Sequence, residues 1–456
     1  MSQALRFSEA EIVHFLGSGP RYTSYPTVPV WNHQVQAKEW KQHLALSDRP
    51  AEIALYVHIP FCEKLCHFCA CNRVIDPLHA QDEIYIQNIV LEIASLGRRL
   101  GGVRVGQLHW GGGTPTYLRP YQIQRVMRAI RDHLDCSALS EASIEVHPNV
   151  TTLEHLKVLA ELGFNRLSIG VQDFDPQVQD IINRFQTYEN TERVVQECRQ
   201  LGFSSVNLDL IYGLPRQTRE GLKDTICKVG QLKPDRLAFY SYANVPWKQP
   251  FQRRFSDAMI PQGFEKLQLY LSAREQLMDL GYCTIGMDHF ALPTDELWKV
   301  TCQNQLHRNF MGYTTRERPL VGLGVSAISD YLGLYAQNER QLTAYYRRLK
   351  DEGLATQLGH RMSKDDQIRR AVILNLMCFK DIVFEGLEHE FGIDPLRYFD
   401  RELRSLTAFE EMGLLTIDKN QIAITERGKL FVRNIAMTFD SYLEANKGEL
   451  LFSKTI

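Results

Sequence analysis

Long apolar runs are missing from this sequence. No stretch approaches the roughly 20 consecutive apolar residues that cross a bilayer. The opening residues, MSQALRFSEAEIVHFLGSG, lack the charged start and apolar block of a secretory signal. These absences predict a cytoplasmic protein with no membrane partner. An excess of one charge is missing too. Lys and Arg number 52 against 54 Asp and Glu, a formal net of −2. No global basic field points to nucleic acid, and runs such as Arg347-Arg348 read as solvated helix faces. Internal repeats and low-complexity tracts are also absent.

What is present is length and an uneven use of cysteine. The 456 residues allow one large domain with additions, or two domains. In a reducing compartment the ten cysteines need a reading other than disulfides. Six are scattered (Cys136, Cys198, Cys227, Cys283, Cys302, Cys378) and read as small buried apolar residues. The other four, Cys62, Cys66, Cys69 and Cys71, stand within ten residues.

Strand-like runs recur at 53–58, 106–110, 143–146, 166–171, 205–211 and 237–242. They are short and nearly apolar, as strands buried on both faces should be. Between them lie stretches of helical period: 82–100, 120–134, 152–162, 175–201 and 220–232. This βα alternation predicts a parallel sheet with right-handed crossovers, either a partial barrel or an open doubly wound sheet. Either way the active site belongs at the C-terminal ends of the strands. The unusual residues fall there. The cysteine loop follows the first run, Gly111-Gly112-Gly113-Thr114-Pro115 the second, and Glu145 ends the third. Gln172 follows the fourth, Asp209 lies near the end of the fifth, and Ala243 follows the sixth.

The cysteine spacing is C-x3-C-x2-C-x-C. Three thiolates from one loop can hold three corners of a cubane cluster and leave the fourth iron open. A structural zinc site is the alternative, completed by His58 or His67; its usual second ligand pair downstream is missing. Glu145 and Asp209 suit ribose hydroxyls or an ammonium. Arg184 could clamp a carboxylate, and Phe68 could stack on a flat ring or pack its own loop.

At this loop the sequence resembles the radical S-adenosylmethionine enzymes. That resemblance implies a partial (β/α)6 barrel, a [4Fe–4S] cluster on Cys62, Cys66 and Cys69, and cleavage of S-adenosylmethionine to a 5′-deoxyadenosyl radical. The segments YVHIPFC (56–62), HWGGGTPTY (109–117), GVQDF (170–174), DLIYGLP (209–215), GMDHFA (286–291) and HRNF (307–310) resemble the oxygen-independent coproporphyrinogen III oxidases. So do Cys71 and the 21–27 segment, RYTSYPT. The likeness runs along essentially the whole chain. It implies oxidative decarboxylation of coproporphyrinogen III and two bound S-adenosylmethionine molecules. It implies cofactor contacts from Tyr56, Phe68, Gly112, Gly113, Thr114, Glu145, Gln172, Arg184, Asp209, Ala243 and Ile328. It also implies a monomer, served by an unidentified electron donor and an unidentified acceptor. A haem-trafficking paralogue on the same scaffold is the alternative.

A macrocycle with four carboxylates needs cations and a broad apolar wall. Arg21 and Tyr22 are candidates if residues 1–50 fold over the barrel mouth as a lid, and Arg308 and Phe310 are further ones. Cys71 is expected to act near the substrate and not as a fourth ligand, which would block the open iron. The expected organisation is a lid segment at 1–50, a barrel at 51–295, a connecting region at 296–362 and a helical, winged-helix-like module at 363–456. Four positions depart from the family pattern. His147-Pro148-Asn149 replaces Asp-Pro-Arg, Ala70 replaces glycine, and Phe185 replaces an acid.

Overall fold

The computed structural model describes residues 7–443 and 452–455. Six parallel strands form its centre: β1 (Glu52–Ile59), β2 (Arg104–Gly112), β3 (Glu141–Val146), β4 (Arg166–Gln172), β5 (Ser205–Tyr212) and β6 (Arg236–Ser241). They stand side by side in sequence order, and β1 does not pair with β6, so the barrel is unclosed. Helices α1 (Asp82–Gly97), α2 (Pro120–His133) and α3 (Leu153–Glu161) follow the first three strands in turn. The partial (β/α)6 barrel resolves the choice that periodicity left open.

The strands differ from their expected character in an informative way. They are not apolar on both faces. Leu108, Ile144, Leu167, Val206 and Leu237 point outward into one core with Ile89, Val126, Leu156 and Ile226 of the helices. The alternate residues turn inward and are polar: His109 on β2, Glu145 on β3, Ser168 on β4, Asn207 and Asp209 on β5. Side chains alternate along a strand, so a period of two separates the helix-facing side from a hydrophilic lumen.

The expected helix over 175–201 is broken into α4 (Pro176–Ile181) and α5 (Tyr188–Gln200). Asn183 takes a left-handed conformation (φ 54°) and stops α4, a geometry asparagine tolerates better than most residues. Thr187 restarts the helix by accepting from the Asn190 N–H. Then α6 (Arg219–Leu232) continues the barrel.

The sheet also extends past the six strands, to twelve in all. After β6 and helix α7 (Gly263–Asp279), strands β7 (Cys283–Ile285) and β8 (His289–Ala291) form a short antiparallel edge. The connecting region, 296–362, supplies the opposite edge: β9 (Leu320–Leu323), parallel to β1, then antiparallel β10 (Ile328–Tyr331), β11 (Leu334–Asn338) and β12 (Thr356–Arg361).

The C-terminal module packs around helix Lys364–Met377, with a three-stranded antiparallel sheet of Ile382–Val383, Leu415–Ile417 and Gln421–Ile424. Tyr22 and Tyr25 are part of its core, beside Ile368, Val372 and Phe439. The N-terminal segment therefore joins this module to the barrel, since Val35, Ala37, Trp40 and Leu44 pack in the barrel core. No helix among the described residues is long and apolar enough to cross a membrane.

Candidate active site

The lumen opens into a cavity of about 540 Å³ at the C-terminal ends of the strands. Its opposite end is plugged by charge pairs. Arg236 meets Asp295 at 2.8 Å and Arg166 meets Glu296 at 2.5 Å. The Arg236–Asp295 pair and Arg166 are largely buried, while Glu296 reaches the surface.

The cysteine loop leaves β1 and crosses this mouth. Cys62, Cys66, Cys69 and Cys71 all line the cavity. Burial pushes the Cys62 thiol up to about 11. The Cys71 thiol donates to Cys69, which lowers Cys69 to about 6 and raises Cys71. Among the described residues no three His, Cys, Asp or Glu side chains close on a single ion. Three thiolates from one loop, with a fourth iron left without a protein ligand, fit a cubane cluster. Cys62, Cys66 and Cys69 could thus hold a [4Fe–4S] cluster.

The break between α4 and α5 fastens a second loop to the first. The His67 N–H donates to the Ile182 carbonyl at 2.8 Å, and Asn183 Nδ2 donates to Leu65 O at 2.8 Å. Arg184 follows and is buried. Its Nη1 lies 3.7 Å from Cys66 Sγ, its Nη2 donates to Gly170 O at 2.5 Å, and its Nε donates to Gln186 Oε1 at 3.2 Å. A bulge where β4 pairs with β5 puts Gln172 in a left-handed conformation (φ 70°) beside this guanidinium. A Cβ on Gly170 would sit 2.8 Å from Arg184 Nη2 and 2.9 Å from Gln172 Nε2. Glycine at 170 therefore makes room for both side chains.

The Gly111–Thr114 turn closes the other side. The Gly112 N–H donates to Glu145 Oε2 at 3.2 Å, and Thr114 Oγ1 lies 3.5 Å from Cys62 Sγ. A Cβ on Gly113 would fall 2.6 Å from the Pro60 carbonyl. The run is required by its packing against the cysteine loop as well as by access for a ligand. Behind it, Tyr56 Oη lies 3.0 Å from His58 Nδ1, while His58 Nε2 donates to Asn72 O at 2.9 Å.

Two carboxylates face each other across the lumen. His109 Nε2 contacts Glu145 Oε1 at 3.3 Å. Asp209 accepts from Asn207 Nδ2 at 2.8 Å and from Ser168 Oγ at 3.2 Å. Burial, and then Glu145, push the Asp209 carboxyl up to about 7. A cationic ligand between the two acids would relieve that strain. The sign gives a test. The folded protein keeps the Asp209 proton to about pH 7, whereas an unfolded aspartate loses it near pH ~4. Stability from this group is full below the lower value and is lost as pH rises through the upper one. Asp209→Asn should therefore leave the thermal midpoint of the ligand-free protein nearly unchanged at pH 4.5 and raise it at pH 8. An equal shift at both pH values would refute the assignment.

Of the expected residues, Phe68, Gly112, Gly113, Thr114, Glu145, Gln172, Arg184 and Asp209 line the cavity with the four cysteines. Tyr56, Ala243 and Ile328 stand behind its wall. Ile328 packs with Trp31 and Tyr335, and Ala243 accepts a hydrogen bond from Gln252.

The four expected substrate contacts do not reach the wall. Arg21 donates to the Ser241 carbonyl and lines a separate cavity of about 50 Å³ with Asp288 and Arg433. The Tyr22 hydroxyl donates to Asp440 Oδ2 at 2.9 Å. Arg308 donates to Arg21 O at 3.4 Å and stacks its guanidinium 4.6 Å from the Tyr313 ring centre. Phe310 meets Trp31 edge-on at 5.8 Å. Each of the four finds its partner in neighbouring strands or in the C-terminal module.

Sequence reasoning also missed His109, Ser143, Ser168, Asn207 and Tyr240 on the lumen wall. For Ser143, Ser168 and Asn207 the signal was the strict alternation in SIEV (143–146), RLSIGVQ (166–172) and SVNLDL (205–210). His147 and Asn149, two of the departures, line the cavity as well. Asn149 Nδ2 donates to Phe185 O at 2.6 Å, so it braces the loop that carries Arg184.

An unclosed parallel barrel with a cysteine loop across its mouth defines a radical S-adenosylmethionine fold, and residues 56–227 match the Radical SAM superfamily. Residues 362–431 match the HemN C-terminal domain. The chain is 41% identical over 456 residues to the oxygen-independent coproporphyrinogen III oxidase of Escherichia coli (strain K12), covering 100% of this chain and 99% of that protein. It is 42% identical over 449 residues to the Pseudomonas aeruginosa enzyme of the same name, with 97% of each covered. The solved structure of the Escherichia coli coproporphyrinogen III oxidase (HemN), described as a radical SAM enzyme, superposes with a TM-score of 0.91 at 40% identity. It covers 96% of this chain and 100% of its own. The chain belongs to the oxygen-independent coproporphyrinogen III oxidase family.

Proposed function

We propose that this chain converts two propionate side chains of coproporphyrinogen III to vinyls, giving protoporphyrinogen IX in oxygen-independent haem biosynthesis. The observation that carries the reading is the full-length likeness to these oxidases, together with a cavity that joins the cysteine loop to Arg184, Glu145 and Asp209. When bound, a reduced [4Fe–4S] cluster on Cys62, Cys66 and Cys69 supplies the electron that splits S-adenosylmethionine into methionine and a 5′-deoxyadenosyl radical. Each propionate loses a β-hydrogen atom to that radical, then carbon dioxide and one electron, and a vinyl remains.

The chain's own residues place and protect the reactants. Arg184 and Gln172 present donors to a carboxylate, fixed by Gly170 O and Gln186. Glu145 and Asp209 take ribose hydroxyls or a cationic group. Gly112 and Gly113 let the backbone approach the ligand. The closed end of the barrel keeps water from the radical. Arg21, Tyr22, Arg308 and Phe310 shape the site from behind, as positioning residues, and Cys71 stays beside the cluster without ligating it.

The proposal further includes two S-adenosylmethionine molecules per chain, a monomeric state, a cytoplasmic location, and separate proteins or small molecules that reduce the cluster and take the substrate electron. No observation favours the haem-trafficking alternative. The test is anaerobic reconstitution, reduction, and addition of S-adenosylmethionine with coproporphyrinogen III. Protoporphyrinogen IX should form with two 5′-deoxyadenosine per product. Cofactor cleavage with tight haem binding and no vinyl product would overturn the reading.

A further inference from the structure

On the cluster reading, each cleavage of S-adenosylmethionine consumes one electron from the reduced cluster. The lumen side of the cysteine loop is the ligand cavity, so the electron has to enter from the outer side. A short segment after β6 covers that side. It is held by side-chain amides: Gln252 Nε2 donates to Phe68 O at 3.4 Å and Gln249 Nε2 to Ala70 O at 3.4 Å. Gln252 is itself buried and also accepts from the Val245 N–H at 2.7 Å. The Arg73 guanidinium rests 4.7 Å from the Phe251 ring centre. These contacts make the segment one rigid piece with the loop.

The outer face of this piece is basic. Residues 247–254, WKQPFQRR, hold three cations and no acid, in a chain of net charge −2. Lys248, Arg253 and Arg254 are exposed. Arg254 Nη1 lies 2.8 Å from the ring nitrogens of His67, the residue that follows Cys66. Arg253 Nε donates to Pro246 O at 3.2 Å. Among the described residues, neither arginine pairs with a carboxylate. Trp247 stands in the same face and remains 38% exposed, large for an indole with no ligand-cavity role. An exposed tryptophan ringed by cations is the composition of a binding hot spot. None of these four residues lines the ligand cavity.

We propose that this face docks an acidic electron-transfer protein carrying a low-potential flavin or iron–sulfur centre. The proposal rests on the cluster reading given above. Charge complementarity raises the encounter rate more than the affinity. That suits a donor which must arrive, reduce and leave, through the small interfaces typical of redox partners.

The test uses the reconstituted full chain, with a photoreduced acidic flavodoxin as the probe donor. Cluster reduction is followed by stopped flow from low to high salt. The wild-type rate should fall steeply with salt. Lys248→Glu/Arg253→Glu leaves the Arg254–His67 contact intact. It should cut the low-salt rate by about tenfold or more and flatten the salt dependence. Its cluster spectrum and its dithionite-driven cleavage of S-adenosylmethionine should match wild type. A flavodoxin rate that is insensitive to salt, or unchanged by the charge reversal, overturns the docking proposal. Salt-sensitive binding of single-stranded RNA with no effect on flavodoxin reduction would assign the face to a polyanion and also overturn it. No dithionite-driven cleavage even in wild type overturns the cluster reading first, and the docking proposal with it.

Discussion

Cys62→Ala, Cys66→Ala or Cys69→Ala should each abolish the iron–sulfur chromophore after anaerobic reconstitution and lower turnover by more than about 1,000-fold, or ~4 kcal/mol in the barrier. On the proposed assignment each of these thiolates would hold one corner of the cluster. Cys71 is the nearest spare thiol, and it is engaged as a donor to Cys69. Cys71→Ala should therefore keep the chromophore and its intensity, and weaken only the later chemistry. The contrast between the first three variants and the fourth is the test, read by absorbance, iron content and 5′-deoxyadenosine formed. Loss of the chromophore in Cys71→Ala would make Cys71 a ligand and undo the assignment. Assembly should also depend on pH, because thiols must lose protons to bind metal. Burial holds Cys62 up at about 11, so loading should be slower at pH 7 than at pH 8.5.

The cysteine loop was legible because its chemistry is local. Four cysteines in ten residues cannot be scatter, and their place after the first strand follows from the βα order. The strand positions were legible for the same reason. The lumen was not, because the strands were read as apolar runs. Ser143, Ser168 and Asn207 are ordinary residues whose meaning comes only from alternation, once two faces of one sheet are told apart. The helix break at 182–187 was hidden differently. Its sequence, INRFQT, has neither Gly nor Pro. The stop is imposed by tertiary bonds from His67 and Asn183 to and from the cysteine loop. Those bonds join segments more than a hundred residues apart, and no local propensity reports them. The extra strands β9–β12 were missed for a similar reason. Short strands such as LVGL (320–323) carry too few residues for a clear period.

The N-terminal segment has the second large expected effect, and the structure changes what its removal would mean. A detachable lid at residues 1–50 could be deleted with the cluster left intact and turnover stopped. The segment is instead core. Tyr22 and Tyr25 are 1% and 0% exposed within the C-terminal module. Trp31 stacks on Tyr335 at 4.8 Å, and its indole N–H donates to Pro26 O at 3.1 Å. The buried Arg433 guanidinium gathers the carbonyls of Gly19, Pro20 and Thr455. Deletion would strip these side chains and leave buried donors without acceptors, so the module should unfold. A single substitution separates the roles. Tyr22→Ala should cost about 3–5 kcal/mol of stability, as large-to-small changes in a packed core do, while Tyr22→Phe should cost about 1–2 kcal/mol for the hydrogen bond to Asp440. Denaturant unfolding of the C-terminal module would read both. With the ring in the core and off the cavity wall, Tyr22→Phe should keep KM for coproporphyrinogen III within about twofold, and kcat with it. A large KM increase in Tyr22→Phe without loss of stability would place that hydroxyl on the substrate and restore the lid. The expected result makes the segment a brace, one that sets Arg21 and Arg308 behind the site by the same contacts that hold the two parts of the chain together.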